Sequence, residues 1–524
     1  MKPLHRRYLA LSFAVAALAS CRTSVPGSGG GLGGTGGGSG GAPSSPLACT
    51  LRGAGQGPSG NKASDFPTIS GLDFAAFPRD PGDCTGAHVF HVSTAGSDAN
   101  PGTPSSPFKT IARAIAAASA GDAILVGGGS YPEGADGEYR SLVIDKAIRL
   151  CAASGEGVTV TPRSSSVTYG AHILADGVVV SGVNLSDYVT GVEIGGEGRT
   201  AVRNIVLKNL TVTAAGNTFK NGIVASAAPV DGLLLKNVSV RGATLGISCS
   251  NGPCKNWRLD GVTVCNDAND AGGSGGDGIA VEVRDEDAAA GNLSQNILIT
   301  NAEVTGASAD GIDLKAARAA VFNANVHDNL RNGVKFWRGG DLVNSFVVNH
   351  GADASLVFDR EGAYRVLNSL VAFHNVNADG TLRGDSYTAT VCYDFPSAAC
   401  SLSILNSVFF NNSGSIFLSP ATTAEVRNSL LGKTANGIVI EKAGVTVTEG
   451  DPVTALAGVA AASADLAFTT DPLFTNAAAG DFSFGSSSAL RNAGAAPALF
   501  PAYDFSGKAR TTSAAPDLGP LELF

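Results

Sequence analysis

The sequence predicts an all-β chain wound as a right-handed parallel β-helix, with a short N-terminal capping helix. Three observations predict it. A hydrophobic motif centred on Asn recurs from Asn204 to Leu431. The recurrence has a period of roughly 22 residues and alternates with period two on either side of the Asn. Hydrophobic residues make up 44% of the 524 and charged ones only 15%, which excludes a wholly disordered chain and leaves ample apolar material for one continuous core.

The motif reads aliphatic, any, Asn, apolar or small, any, apolar. Its centres are Asn209, Asn237, Gly261, Asn301, Asn323, Asn344, Asn368, Asn406 and Asn428. An aliphatic residue stands two before each, from Leu207 to Val426, and an apolar one three after each, from Val212 to Leu431. This is a strand, a tight bend and another strand, repeated in stacked coils. Asn suits the bend because it tolerates the left-handed backbone and its amide can bond the main chain. Stacked Asn can also bond one another. A leucine-rich repeat has a similar length, but its LxxLxLxxN spacing is absent. No coil can bury its apolar edge alone, so stability comes from stacking.

Four segments follow from the N-terminus: a leader and lipidation site, 1–21; a Gly/Ser-rich flexible linker, 22–48; an N-terminal arm, 49–88; and the β-helix, 89–524. Lys2, Arg6 and Arg7 precede an apolar run from Tyr8 to Leu18, too short for a stable membrane span. The run ends in Leu18-Ala19-Ser20-Cys21, which resembles the bacterial lipobox. The resemblance implies cleavage before Cys21 and a lipid anchor on its thiol. Arg22 follows, where retention on the inner membrane would call for Asp, so an outer-membrane lipoprotein is implied, facing the periplasm or the cell surface. Eleven of the 15 residues from Gly27 to Gly41 are Gly, a flexible tether. Besides Cys21 there are eight Cys. Cys392/Cys400 and Cys249/Cys254 are close enough in sequence to staple loops, and Cys49/Cys84 could pin the arm; sequence alone does not fix the pairing.

The segment from Phe90 to Ile124 contains Gly96-Ser97-Asp98, Pro107-Phe108-Lys109-Thr110 and Gly121-Asp122. It resembles the N-terminal part of pectate-lyase-like β-helix proteins, in which a short helix plugs the open core. Ala112, Ile115 and Ala116 would form its apolar stripe. Asp471-Pro472-Leu473-Phe474, Asp504-Phe505-Ser506-Gly507 and Asp517-Leu518-Gly519 resemble the C-terminal coil of the same superfamily.

Candidate chemistry gathers on one strand of each coil. Asp310, Asn332 and Asp353 stand nine residues after Asn301, Asn323 and Asn344, which places Gly311 to Lys315 beneath Gly333 to Trp337, with Gly278 to Glu282 on the preceding coil. Alternation then points Ala280, Asp313 and Lys335 outward in one column and Glu282, Lys315 and Trp337 in the next. Asp277, Asp310 and Asn332 form a third column where the strands begin. Neighbouring strands lie about 4.8 Å apart, so Asp313 adjoins Lys335 and the carboxylates of Asp277 and Asp310 are stacked. Stacked carboxylates repel unless a proton or cation lies between them, and converging Asp oxygens suit calcium. A lysine beside that cation is pushed toward a usable base.

These segments resemble the calcium-dependent pectate lyases of polysaccharide lyase family 9. The residues that carry the likeness are Gly276-Asp277-Gly278, then Asp310-Gly311-Ile312-Asp313, then Asn332-Gly333-Val334-Lys335. The resemblance implies Ca2+ on Asp277, Asp310 and Asp313, Lys335 as catalytic base, and β-elimination of an acidic polysaccharide. Ala309 stands where that family has a further Asp. Glu282 would replace it only if the coil brought it round, which is not expected. Lys315, Arg338 and Trp337 are candidates for substrate binding, the cations on uronate carboxylates and the indole on a sugar ring. His327 and His350 show no partner in the sequence.

Two other function classes remain. Ala309 to Asp313 also resembles part of the polygalacturonase motif, but the paired Asp-Asp and the GHG of those hydrolases are missing. A non-catalytic glycan-binding or structural surface lipoprotein is the third class. The net charge, 36 − 45 = −9, argues against a nucleic-acid partner, which needs a basic surface. A monomer is expected.

Overall fold

Successive coils of the chain lay their strands one above another in parallel, giving a right-handed parallel β-helix. The computed structural model describes residues 71–523, apart from 136–137, 197–200, 216–219, 227–228, 251, 267–275, 284–290, 352, 378–380, 385, 452–455, 461–465, 468–470, 478–479, 496–500 and 511–514. The leader, Cys21, the linker and Cys49 lie outside the described residues. Among the described residues no helix is long and apolar enough to cross a membrane.

Three stacks of strands form the faces of the solenoid. The first runs from Arg140–Ile144 through Leu245–Cys249 and Ile279–Val281 to the starts of Ile312–Phe322 and Val334–Val343. It continues through Leu356–Phe358, Ala389–Val391, Ile416–Leu418 and Ile438–Lys442. The second face includes Lys255–Asp260 and Ser294–Thr300, and the third includes Glu303–Thr305, Asn325–His327 and Phe346–Val348. Inward residues of the first face, among them Ile279, Val281, Ile312, Leu314, Val334 and Phe336, are fully buried.

The bend between the second and third faces is the Asn ladder. All nine motif centres, from Asn209 to Asn428, have φ between 44° and 69°. That backbone costs an ordinary residue about 1–2 kcal/mol and costs Asn or Gly less. The amides also bond upward: Asn323 Nδ2 donates to Asn301 Oδ1 at 2.7 Å, and Asn344 Nδ2 to Asn323 Oδ1 at 3.0 Å. Each bond satisfies a buried polar group and fixes the stagger of adjacent coils.

The capping helix spans Ile111–Ala117, and the Thr110 hydroxyl accepts from Arg113 N at its start. Its buried residues are Ile111, Ala114 and Ile115, while Ala112 and Ala116 face solvent. The expected stripe was therefore out of phase, because the Thr110 cap makes Ile111 the first helical residue and turns it into the core. The C-terminal segment also departs from expectation. It forms an antiparallel pair, Phe474–Asn476 with Asp481–Phe484, and packs on the outer side of the third face against Phe346, Phe373 and Phe410. On the second face, Phe77 of the arm packs with Leu298, Ala320 and Phe322. The Asp80 carboxylate there holds Lys208 at 2.6 Å and Lys236 at 2.9 Å. Arm and C-terminus thus clothe two faces, and the outward columns read from the sequence lie on the first.

Disulfides join Cys249 to Cys254 and Cys392 to Cys400, and Cys84 pairs with Cys151 rather than Cys49. The arm crosses the N-terminal coils at Cys84, where Thr85 and Asp83 already bond Arg149 two residues before Cys151.

Candidate active site

The strand register places the outward side chains. Ala280 pairs with Asp313, Asp313 with Lys335, and Lys335 with Val357. The Lys335 ammonium lies 3.9 Å from Asp313 Oδ2. In the next column Lys315 Nζ is 2.8 Å from Glu282 Oε1 and 3.5 Å from Asp313 Oδ2, and it sits 5.6 Å from the Trp337 ring centre.

Carboxylate oxygens of Asp277, Glu282 and Asp313 lie within 4.8 Å of one another. Glu282 does come round, contrary to expectation, and Asp310 is not in this cluster. Asp310 Oδ1 instead accepts from Asn332 Nδ2 at 2.8 Å and Asn332 N at 3.2 Å. Below it Asp277 Oδ1 accepts from Asp310 N at 2.9 Å, and above it Asn332 Oδ1 accepts from Ala354 N at 3.0 Å. The third column is thus a ladder in which each side chain holds the turn above it. Asp353 does not extend that ladder. One extra residue in its coil puts Ala354 there, and Asp353 pairs with Arg331 at 2.7 Å.

The electrostatics show strain in the cluster. Burial, then the charges of Asp313 and Asp310, push Asp277 up to about 7. Burial pushes Asp313 up to about 6, against the pull of Lys335 and Lys315. For Lys315, burial works against the charge, but Asp313 and Glu282 prevail and raise its pKa. The second oxygen of Asp313, Oδ1, is buried and has no hydrogen-bond partner. A buried anionic oxygen with nothing to receive is costly and is the kind of position a cation fills. Three converging carboxylates with one orphaned oxygen fit a hard divalent ion, and the Lys315 ammonium competes for the same atoms.

The remaining candidates lie further out. The Trp337 ring is covered by Arg360, whose guanidinium carbon is 4.4 Å from its centre and 4.1 Å from that of Phe395. The indole is therefore part of a cation–π stack, and the side Arg360 occupies is closed to a sugar. Arg338 stands beyond an irregularity in the register, opposite Ala317, and pairs with Glu361. The sequence reading missed Asp359. It is buried one residue past Leu356–Phe358, in the column of Lys315 and Trp337; burial raises its pKa while Lys335 pulls it down. Carrying the column arithmetic one coil further would have found it.

His327 also gains partners that the sequence did not show. Its Nε2 meets Glu303 Oε1 and its Nδ1 meets Asp328 Oδ2, both at 2.6 Å. Glu303 comes from the third-face strand below and Asp328 is the next residue in the chain, so only coil stacking completes the trio.

A family profile described as a protein of unknown function (DUF1565) matches residues 94–342, just under half of the chain. No curated protein sequence matches it. Among solved structures, the chain is similar to pectate lyase Pel9A, at 14% identity and a TM-score of 0.42, over 84% of this chain and 98% of that one. It is similar to the GH136 lacto-N-biosidase from Eubacterium ramulus at 13% identity and TM-score 0.39, over 73% and 68%. A rhamnogalacturonan lyase follows at 12% identity and TM-score 0.37, over 72% and 86%. At such identities and TM-scores nothing about the site transfers from them.

Proposed function

We propose that the chain is a calcium-dependent polysaccharide lyase that cleaves a uronic-acid polymer, pectate first, by β-elimination. The observation that carries the reading is the Lys335 amine set 3.9 Å from Asp313, beside oxygens of Asp277, Glu282 and Asp313 that converge within 4.8 Å. Asp277, Glu282 and Asp313 would hold the ion, with Asp310 fixing the turn that carries them. Bound calcium would supply the positive charge that neutralises the uronate carboxylate and acidifies the proton α to it. Lys335 takes that proton. The electron pair left on carbon forms the new double bond, and the bond from the β-carbon to the glycosidic oxygen breaks, that oxygen taking a proton from water as it leaves. Asp313 steadies the ammonium formed on Lys335. Lys315 remains on Glu282 and Asp313, limiting the net negative charge that an incoming uronate meets.

A second reading has its own support. Lys315 already neutralises two of the three carboxylates, which is how a non-catalytic glycan-binding solenoid would settle the same cluster. The test is incubation with polygalacturonate, with calcium or with chelator, following ultraviolet absorbance of unsaturated ends. Absorbance that rises only with calcium and is lost in Lys335→Ala is the result expected. New reducing ends without unsaturation would mean hydrolysis, and binding without turnover would mean the display protein. The Cys21 anchor, which would tether the domain at the outer membrane, is part of the same proposal.

A further inference from the structure

The column that carries Asp313 and Lys335 does not stop there. It continues through Val357 and Thr390 to Phe417 and Glu441. At about 4.8 Å per coil, Phe417 stands three coils and about 14 Å beyond Lys335. Tyr387 begins the coil of Ala389–Val391, and Tyr393 follows that strand. The rings of Tyr393 and Phe417 are 5.0 Å apart, those of Tyr387 and Phe417 5.1 Å, and those of Tyr387 and Tyr393 5.9 Å. Tyr393 is 53% exposed. Three aromatic rings thus meet one another on the solvent side of the candidate active-site face.

The segment that presents Tyr393 is fixed. The Cys392–Cys400 disulfide closes the loop at its base. Within the loop, Phe395 N donates to Cys392 O at 3.2 Å and Ala398 N to Phe395 O at 2.9 Å. The Arg360 guanidinium lies against both Phe395 and Trp337, tying the loop to the coil of Lys335. A rigid exposed aromatic surface binds without an ordering cost. Its rings offer apolar faces to the C–H groups of a pyranose and, on the two tyrosines, hydroxyls to its oxygens. The Arg360 cation is held beneath the loop between Phe395 and Trp337, and the charges beside the three rings are negative. Glu441 is the next residue of the column and exposed Asp394 adjoins Tyr393. A uronate there would meet two carboxylates, and an uncharged sugar meets no such repulsion.

We infer that Tyr387, Tyr393 and Phe417 form a stacking platform for uncharged pyranose residues of the same polysaccharide chain whose uronate lies at Lys335. This rests on the lyase reading for the uronate. It moves the preferred substrate from pectate to a backbone that mixes uronate with neutral sugars, since one coil rises by about the length of one extended pyranose unit and the platform lies about three units from the base.

Native affinity electrophoresis of the full chain tests it, in gels containing polygalacturonate, an alternating galacturonate–rhamnose backbone, or uncharged galactan. The wild-type chain is expected to be retarded more by the alternating backbone than by polygalacturonate. Tyr393→Ala should lose about three- to tenfold in affinity for the alternating backbone and for galactan, Tyr393→Trp should restore it, and Glu441→Gln should narrow the gap between the alternating backbone and polygalacturonate. Tyr393→Ala that binds all three polymers as the wild type does overturns the platform, even where calcium-dependent elimination is present. So does equal or tighter retention by polygalacturonate that Glu441→Gln leaves unchanged, or no retention by any polymer. Loss of galactan binding in Tyr393→Ala, with no unsaturated product from any uronate polymer, upholds the platform while the lyase reading fails.

Discussion

Replacing Asp313 by Asn should stabilise the chain without calcium, and saturating calcium should cancel most of that advantage. The magnitude follows from burial. Asp313 is 3% exposed and titrates at about 6, against 3.8 in an open chain. A carboxyl whose folded pKa lies above its unfolded one stabilises the fold below the unfolded value, and that contribution is lost as pH rises through the folded value. At about 1.4 kcal/mol per pH unit, ionised Asp313 costs the wild type about 3 kcal/mol at pH 8 and about half that at pH 5. Asn has nearly the same shape and no charge to bury. In chelator, the unfolding midpoint of Asp313→Asn should therefore exceed the wild type's by more at pH 8 than at pH 5. Calcium at a hundredfold excess over its dissociation constant adds about 2.7 kcal/mol to whichever protein binds it. The wild type gains this and the variant does not, so at pH 8 the difference between them shrinks to near zero. Thermal unfolding at both pH values, with calcium and with chelator, reads out each part. Equal midpoints in chelator at both pH values, or an equal calcium shift in the two proteins, would refute the reasoning.

Lys315→Met removes the ammonium that competes for Glu282 and Asp313, so calcium should bind it several-fold more tightly than the wild type by titration calorimetry, and unchanged or weaker binding would count against a metal at this cluster. His327 is held between Glu303 and Asp328; burial disfavours its charge, but the two carboxylates raise its pKa to about 9. Its contribution is complete below about pH 6.5 and is lost as pH climbs through 9, so the wild type should lose stability across that interval. His327→Ala, which leaves two carboxylates buried without their cation, should cost about 3–5 kcal/mol at pH 7 in chemical denaturation.

The solenoid was legible because its rules are local. An Asn that must adopt φ near 50° with a strand on each side is visible in a single coil, and nine repeats of it fix the stacking from Asn209 to Asn428. The columns follow by counting, and counting alone sets Asp313 beside Lys335. Counting failed wherever a coil changed length. One extra residue moved Asp353 off the ladder and put Ala354 in its place. It failed also for chain that is not part of a coil, since nothing local tells that Phe482 will pack on Phe346 and Phe373 rather than start another turn.

The exchange of Glu282 for Asp310 in the cluster has a physical origin that periodicity alone does not express. The direct partner of Asp313 on the coil below is Ala280, whose side chain ends at a methyl group. Side chains flanking a small residue can lean over it when they are long enough, because diagonal neighbours on adjacent strands stand only about 7–8 Å apart. Asp277 leans from where the strand begins and Glu282 from where it ends, and both reach the oxygens of Asp313. Asp310 sits directly above Asp277 and beneath Asn332, so its oxygen has a nearer donor in that amide. A carboxylate stacked beneath hydrogen-bond donors becomes part of the scaffold, and one facing an alanine is left with an unsatisfied oxygen to offer. On that argument the small residue at 280, as much as the acids around it, would let the first face of this solenoid take the proposed cation.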